Sequence, residues 1–138
     1  MTSGDYQVRP IGWVRSSLVD LTDAPKQGDE DAGPAELVFS AEFVDGLTDI
    51  EVGDSIVLLT WLDRASRDVL VVHPRDDMTR APRGVFSTRA ADRPNPIGLH
   101  RVVVTAIHGS TFTVNGLEAI DGTPILDVKP TLGPLDQR

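Results

Sequence analysis

The chain has 138 residues, of which 40% are hydrophobic and 25% charged, and its formal net charge is −8. A length of this order fits one domain, and no apolar run approaches the roughly 20 residues of a membrane-spanning helix. The chain has no cysteine, which excludes disulfides, thiolate metal sites and a cysteine nucleophile. We therefore predict one domain over residues 1–138, and the polar N-terminus favours the cytoplasm.

The acidic net charge argues against a nucleic-acid binder whose surface is basic throughout. Six of the 13 basic residues nevertheless fall between positions 75 and 101, namely Arg75, Arg80, Arg83, Arg89, Arg93 and Arg101. Contact with RNA would have to come from this cluster or from a surface shared by two subunits. The alternative is that these arginines belong to a solvated surface loop.

The first predicted elements are two strands with a long loop between them. Residues 6–14 read as an edge strand because Pro10 cannot donate to a central ladder. Residues 20–35 are rich in Asp, Gly and Pro and predict a long loop, either a binding loop or a disordered segment. Residues 36–43 alternate as a half-buried strand, and a short helix is expected around Leu47.

The middle of the chain contains the longest apolar runs. Residues 55–62 form a continuous apolar run, which predicts a buried central strand with Trp61 in the core. Residues 69–73 predict another strand, and residues 74–83 a loop rich in Pro, Arg and Asp.

The last third of the chain predicts a β-hairpin over residues 99–117 and, after a turn at 121–124, a final short strand over 125–130. No segment shows a long helical period. Many short strands at similar spacing predict a small, mainly β sandwich or barrel with few short helices.

Residues 84–99 contain an unusually stiff segment, Arg93-Pro94-Asn95-Pro96. Each proline fixes its own φ and disfavours a helical conformation in the residue before it. Arg93 and Asn95 are thus presented on rigid backbone, with Arg89 upstream and the permissive Gly98 downstream. The segment is either a stiff turn between strands or a preorganised binding loop, which lowers the cost of ordering on binding.

Few patterns point to a reaction. The three histidines lack metal-ligand spacing, so no metal site is expected, and no phosphate-binding loop, dinucleotide fingerprint or nucleophile elbow occurs. Acid–base candidates are Asp63, Glu118, Asp121 and Asp127. A turn explains Asp121, which precedes a glycine. Asp127 and Lys129 share one face of a strand and could form a surface ion pair.

Two blocks of sequence carry a family resemblance: Gly84 to Leu99, with Thr88-Arg89 and Arg93-Pro94-Asn95-Pro96-Ile97-Gly98-Leu99, and Gly116 to Pro130, with Asp121-Gly122-Thr123-Pro124. Through both blocks, the chain resembles the TsaA-like, or TrmO, family of methyltransferases that use S-adenosyl-L-methionine. The resemblance implies a small β-barrel, usually a homodimer with the cofactor near the subunit interface. It implies methylation of the exocyclic amine of threonylcarbamoyl-adenosine beside the tRNA anticodon.

The same resemblance implies cofactor contacts by position. These are Lys26, Gln27, Gly28, Asp63, Arg64, Arg89, Leu99, Leu117, Glu118, Ala119 and Ile120. Arg89 would bind the carboxylate of S-adenosyl-L-methionine, and an acidic side chain, Asp63 or Glu118, would bind a hydroxyl or the ammonium. Backbone groups of Leu99 and of residues 117–120 would contact the adenine edge.

The remaining assignments concern the methyl acceptor. Asp121 or Asp127 is the candidate to take the proton that the amine loses. Arg93, Asn95 and Lys129 either contact the substrate or brace the loop. The chain departs from the family at Ala90-Ala91, His100 and Thr131, where the family commonly has Ser-Pro, serine and tyrosine. The alternatives are therefore a methyltransferase acting on a small molecule or another acceptor, or a non-enzymatic module that binds S-adenosyl-L-methionine or RNA.

Overall fold

The computed structural model describes residues 4–18, 33–73 and 77–132. The strands are β1 (Gly12–Arg15), β2 (Ala35–Phe39), β3 (Ser55–Trp61), β4 (Val71–Val72), β5 (Arg83–Gly84), β6 (Ile97–His108), β7 (Thr111–Asn115) and β8 (Pro124–Pro130). Short 3₁₀ helices span Ala41–Leu47 and Val85–Ser87. The described part of the chain contains no helix that is both long and apolar enough to cross a membrane.

The main sheet closes on itself in the order β1-β2-β7-β6-β3-β8, and β8 pairs with β1. All neighbouring strands in it are antiparallel. Strands β4 and β5 form a separate two-stranded ribbon. The prediction of an all-β barrel with few short helices is confirmed.

The core fills the inside of the barrel because each strand directs alternate residues inward. Its largest fully buried side chains include Phe112, Leu37, Leu58 and Ile125. The rings of Phe39 and Phe112, on β2 and β7, meet edge to face with centroids 5.3 Å apart. This is a favoured geometry for two aromatic rings, and it holds the hairpin of β6 and β7 against β2.

Two of the predicted strands are too long. The prediction for residues 6–14 is wrong before Gly12, because only Gly12–Arg15 pair with neighbouring strands. The strand predicted over residues 36–43 ends at Phe39, and the chain continues as the 3₁₀ helix Ala41–Leu47. The residues that appeared to continue the alternation therefore lie on a helical turn.

The central strand predicted over residues 55–62 is present as β3, but the prediction that it is buried throughout is wrong. β3 alternates between buried and partly exposed residues, with Ile56, Leu58 and Thr60 inside the barrel. Trp61 faces outward, where the guanidinium of Arg67 lies 5.1 Å from its ring centroid. The predicted hairpin is confirmed, with β6 and β7 joined at Gly109, whose φ is 62°. Most of the predicted loop 20–35 lies outside the described residues.

Candidate functional site

A cleft of about 360 Å³ opens beside one end of the barrel. It is lined by residues from distant parts of the sequence: Leu18, Leu62, Asp63, Arg64, Ala65, Arg89, Ala91, Asp92, His100, Glu118, Ala119, Ile120 and Thr123. Volumes of this size suit a small organic ligand, and such sites combine an apolar lining with a few polar groups.

Hydrogen bonds between loops hold the walls of the cleft in place. The backbone N–H of Leu62, just after β3, donates to the carbonyl of Pro96 at 2.8 Å. The N–H of Ser66 donates to the Asp92 carboxylate at 2.8 Å. On the opposite wall, the N–H of Asp121 donates to the carbonyl of Leu18 at 2.7 Å. The stiff segment is thus tied to the end of β3, and this fixes the cleft's geometry.

The structure brings together six of the residues predicted to contact a cofactor: Asp63, Arg64, Arg89, Glu118, Ala119 and Ile120. Two carboxylates and two guanidinium groups therefore share one cleft. Arg89 is exposed and makes no hydrogen bond or ion pair with any described residue. Partial burial raises the pKa of the Glu118 carboxyl, because removing water disfavours the charged form.

Other predicted contacts lie elsewhere. Leu117 is buried in the hydrophobic core and does not line the cleft. Leu99 faces outward on β6, one residue before the cleft-lining His100, with 51% of its surface exposed. Lys26, Gln27 and Gly28 lie outside the described residues.

The two candidate proton acceptors do not line the cleft. Asp121 lies in the turn before β8, and its carboxylate accepts the backbone N–H of Ser16 at 3.0 Å. Asp127 lies opposite Leu59 of β3, on the outer face of the barrel, and its carboxylate is 3.4 Å from the Lys129 ammonium. The Asp127–Lys129 ion pair expected from their spacing is present, and the catalytic role of either aspartate stays a prediction.

Arg93 has partners within the loop, whereas Asn95 is bound by Arg67 from outside it. The Arg93 guanidinium donates to the carbonyls of Val85 and Thr88, the latter at 2.8 Å. The Asn95 side-chain oxygen accepts from Arg67 at 2.9 Å, and the same arginine donates to the Pro94 carbonyl at 2.7 Å. These contacts favour the bracing role for both residues.

His100 belongs to the cleft, although its sequence context indicated only an ordinary histidine. Its Nε2 lies 2.9 Å from Oγ1 of the fully buried Thr60. Burial lowers the pKa of the His100 imidazole to about 4, so the ring is neutral near pH 7. The one available signal was the departure from serine at this position. Among the described residues, no group of three or more His, Cys, Asp or Glu side chains could hold a metal ion.

Known proteins are similar to this chain in sequence and in fold. The family model described as the tRNA-methyltransferase O N-terminal domain matches residues 13–137. A probable S-adenosyl-L-methionine-binding protein of Archaeoglobus fulgidus is 42% identical over 94% of this chain. Another protein with that name, from Methanothermobacter thermautotrophicus, is 40% identical over 99% of this chain. A crystal structure of TrmO has a TM-score of 0.79 at 30% identity, over 98% of this chain.

The matched proteins differ in length. The chain spans 35% of the Archaeoglobus protein and 97% of the Methanothermobacter protein. It spans 61% of the TrmO chain in the crystal structure. The similarity therefore covers nearly all of this chain, whereas two of these proteins continue well beyond the shared region.

Proposed function

The chain belongs to the tRNA-methyltransferase O N-terminal domain family, and from this we propose that it binds S-adenosyl-L-methionine in the cleft and transfers its methyl group to an acceptor. The observation that carries the proposal is the meeting of Asp63, Arg89 and Glu118 beside an apolar lining. When bound, S-adenosyl-L-methionine supplies an electrophilic methyl group on a sulfonium.

The residues of the cleft fit the chemistry of this ligand. Arg89 offers guanidinium N–H groups to the ligand's carboxylate in a charge-assisted hydrogen bond. Asp63, at the exposed rim, offers a carboxylate to the ammonium. Leu62, Ala119 and Ile120 provide apolar surface for the adenine ring. By holding the ligand at both ends, the chain would fix the methyl group in line with an acceptor, and such alignment lowers the barrier.

We propose a tRNA adenosine as the acceptor, specifically the exocyclic amine of threonylcarbamoyl-adenosine, which would place the protein in the cytoplasm. The name of the family supports a tRNA substrate. Exposed Arg80, Arg83 and Arg89 lie within or just before residues 84–99, the segment that contributes to the cleft, and provide basic groups in an otherwise acidic chain. Arg75, also in this cluster, lies outside the described residues.

A small-molecule acceptor is the second candidate, and the net charge of −8 favours it. Binding to tRNA depends largely on neutralising phosphate charge, which an acidic chain does poorly. A module that only binds S-adenosyl-L-methionine is the third candidate, in keeping with the names of the two archaeal relatives.

We also propose that two copies associate through the outer face of β3 and β6. Leu59 pairs with Leu99, and Trp61 with Ile97, across these two strands. Leu99 and Ile97 are 51% and 44% exposed, and Val103 lies farther along the same face of β6, beyond the exposed Arg101. Contiguous apolar patches on soluble proteins commonly mark interfaces. The strand β3 ends at Trp61, and the next residue, Leu62, lines the cleft, so this outer face ends beside the cleft, which agrees with a ligand near the interface.

The test has two steps. Calorimetry with S-adenosylhomocysteine measures binding, and Arg89→Ala is expected to weaken it, whereas the matched variant Arg83→Ala, on β5 outside the cleft, is not. Incorporation of labelled methyl groups into tRNA, with and without the threonylcarbamoyl group, then identifies the acceptor. Binding without incorporation into either tRNA would exclude the tRNA substrate, and no binding at all would contradict the whole proposal.

A further inference from the structure

His100 occupies an inward-facing position of β6, but its ring does not contact the residue directly opposite on β3. It contacts a residue farther along that strand. Its direct partner on β3 is Leu58, whereas its Nε2 contacts the hydroxyl of Thr60, two residues farther on. Such diagonal contacts are within the reach of a long side chain. The ring is therefore directed toward the end of β3, where the cleft begins.

Gly98 makes this orientation available. Gly98 is the direct partner of Thr60. A Cβ at position 98 would overlap the Thr60 hydroxyl and lie 2.8 Å from His100 Nε2. A side chain at position 98 would thus occupy the space in which the imidazole meets Thr60. The glycine, the threonine and the histidine form one unit that holds the ring at the floor of the cleft.

With Nε2 on Thr60, the second ring nitrogen, Nδ1, has no hydrogen-bond partner among the described residues. His100 lines the cleft, and Nδ1 is the ring nitrogen left for a ligand there. A neutral imidazole offers one N–H donor or one acceptor there, depending on its tautomer.

The polarity of the cleft determines which part of a ligand would meet this nitrogen. Asp63, Arg64 and Arg89 are exposed at its rim. Buried Ala119 and Thr123 line its floor together with His100. Charged groups of a ligand remain hydrated most easily at the rim, because burying an ion is costly. An uncharged ring system would go to the floor.

We propose that His100 contacts the adenosine part of the bound ligand through Nδ1 and contributes to its affinity. The inference rests on the proposed binding of S-adenosyl-L-methionine and extends it to a residue that replaces the family's usual serine. Arg89 binds the amino-acid end, and His100 binds a hydroxyl or ring nitrogen of the nucleoside end. Thr60 and Gly98 act only by positioning the imidazole.

The test uses two ligands that share the nucleoside: S-adenosylhomocysteine and methylthioadenosine, which lacks the amino-acid carboxylate and ammonium. His100→Ala is expected to weaken both by the same factor, about three- to tenfold, as for the loss of one neutral hydrogen bond. Arg89→Ala is expected to weaken S-adenosylhomocysteine alone. His108→Ala, which removes an exposed histidine from the same strand, serves as the control and should change neither affinity.

Equal affinities of the wild type and His100→Ala for both ligands would overturn the inference while leaving the proposed function intact. A loss confined to S-adenosylhomocysteine would also overturn it, because His100 would then act at the amino-acid end. If the wild type binds neither ligand, the proposed function fails and the inference with it. Should His100→Ala not fold, the ¹⁵N shifts of the wild-type imidazole on adding methylthioadenosine decide, since contact changes the Nδ1 shift and no contact leaves it unaltered.

Discussion

The Arg93 side chain is turned into its own loop, so its removal should affect stability first. Arg93→Ala would remove one donor from the Thr88 carbonyl and one from the Val85 carbonyl, which still accepts the backbone N–H and the hydroxyl of Thr88. Because two part-buried hydrogen bonds are lost, we expect the free energy of unfolding to fall by about 1–3 kcal/mol, measured by urea denaturation. Arg89→Ala, which removes an exposed side chain with no partner in the described parts of the chain, should leave the unfolding midpoint unchanged. An unchanged midpoint with lost methyl transfer in Arg93→Ala would instead assign Arg93 to substrate contact.

His100 should make the stability of the protein depend on pH. Its pKa is about 4 in the folded chain and 6.5 in the reference state. The unfolded chain therefore takes up a proton between these values, and the folded chain does not. Stability should fall as the pH decreases from 6.5 toward 4, by up to about 3 kcal/mol from this group, and should be unaffected above 6.5.

The measurement compares the wild type with His100→Gln across that pH range, because the carboxylates common to both cancel in the difference. The wild type is expected to lose more stability than the variant on acidification. Parallel curves for the two proteins would show that the imidazole titrates normally in the folded state.

Many residues of the cleft could be predicted from the sequence. Those whose role depends on how two strands are aligned could not. The family resemblance gave six residues that do line one cleft, including Arg89 and Glu118. It did not identify His100, since its contact with Thr60 is diagonal and depends on the alignment of β3 with β6. The contacts of Arg93 within its own loop could not be predicted either, because they depend on the orientation of the loop's carbonyl groups.

At the scale of the elements, β1 depends on a glycine. A Cβ at Gly12 would lie 2.5 Å from the carbonyl oxygen of Val38 on β2. Since backbone cannot move aside easily, Gly12→Ala should lower the free energy of unfolding by about 1–3 kcal/mol, the usual cost of overpacking. Gly84→Ala has no atom within 4 Å of the new Cβ and should be neutral. Thermal denaturation followed by circular dichroism compares the two, and equal midpoints would contradict the expectation.

The order and type of the strands followed from alternation and turn residues, but their ends and burial did not. Ala41 and Phe43 continue the apolar alternation of β2 but lie in the 3₁₀ helix Ala41–Leu47, because pairing of β2 with β7 and β1 stops near Ser40. The short helix expected around Leu47 is present. Trp61 looked like a core residue since its neighbours are apolar. In a closed barrel those neighbours divide between inside and outside, and Trp61 lies on the outside.

For the whole molecule, the proposed self-association gives a clear expectation. The wild type should sediment as a dimer, and Leu99→Lys should shift it toward monomer, since a lysine would place a charge within an apolar interface. Val71→Lys, which changes a valine of similar exposure on the separate β4–β5 ribbon, is the control and should remain dimeric. A wild type that sediments as a monomer at all concentrations would contradict the interface.

The closure of the barrel also has a consequence for folding order. β1 and β8 are joined at only two register positions, Gly12 with Ile125 and Trp13 with Pro124, and their contacts span most of the sequence. Contacts between such distant residues form late, because a large loop must close first. The residues that line one wall of the cleft, 118–120 and 123, lead directly into this seam. A ligand that contacts both walls would therefore stabilise the pairing of β1 with β8, the last part of the barrel to assemble. It would slow hydrogen exchange there more than elsewhere.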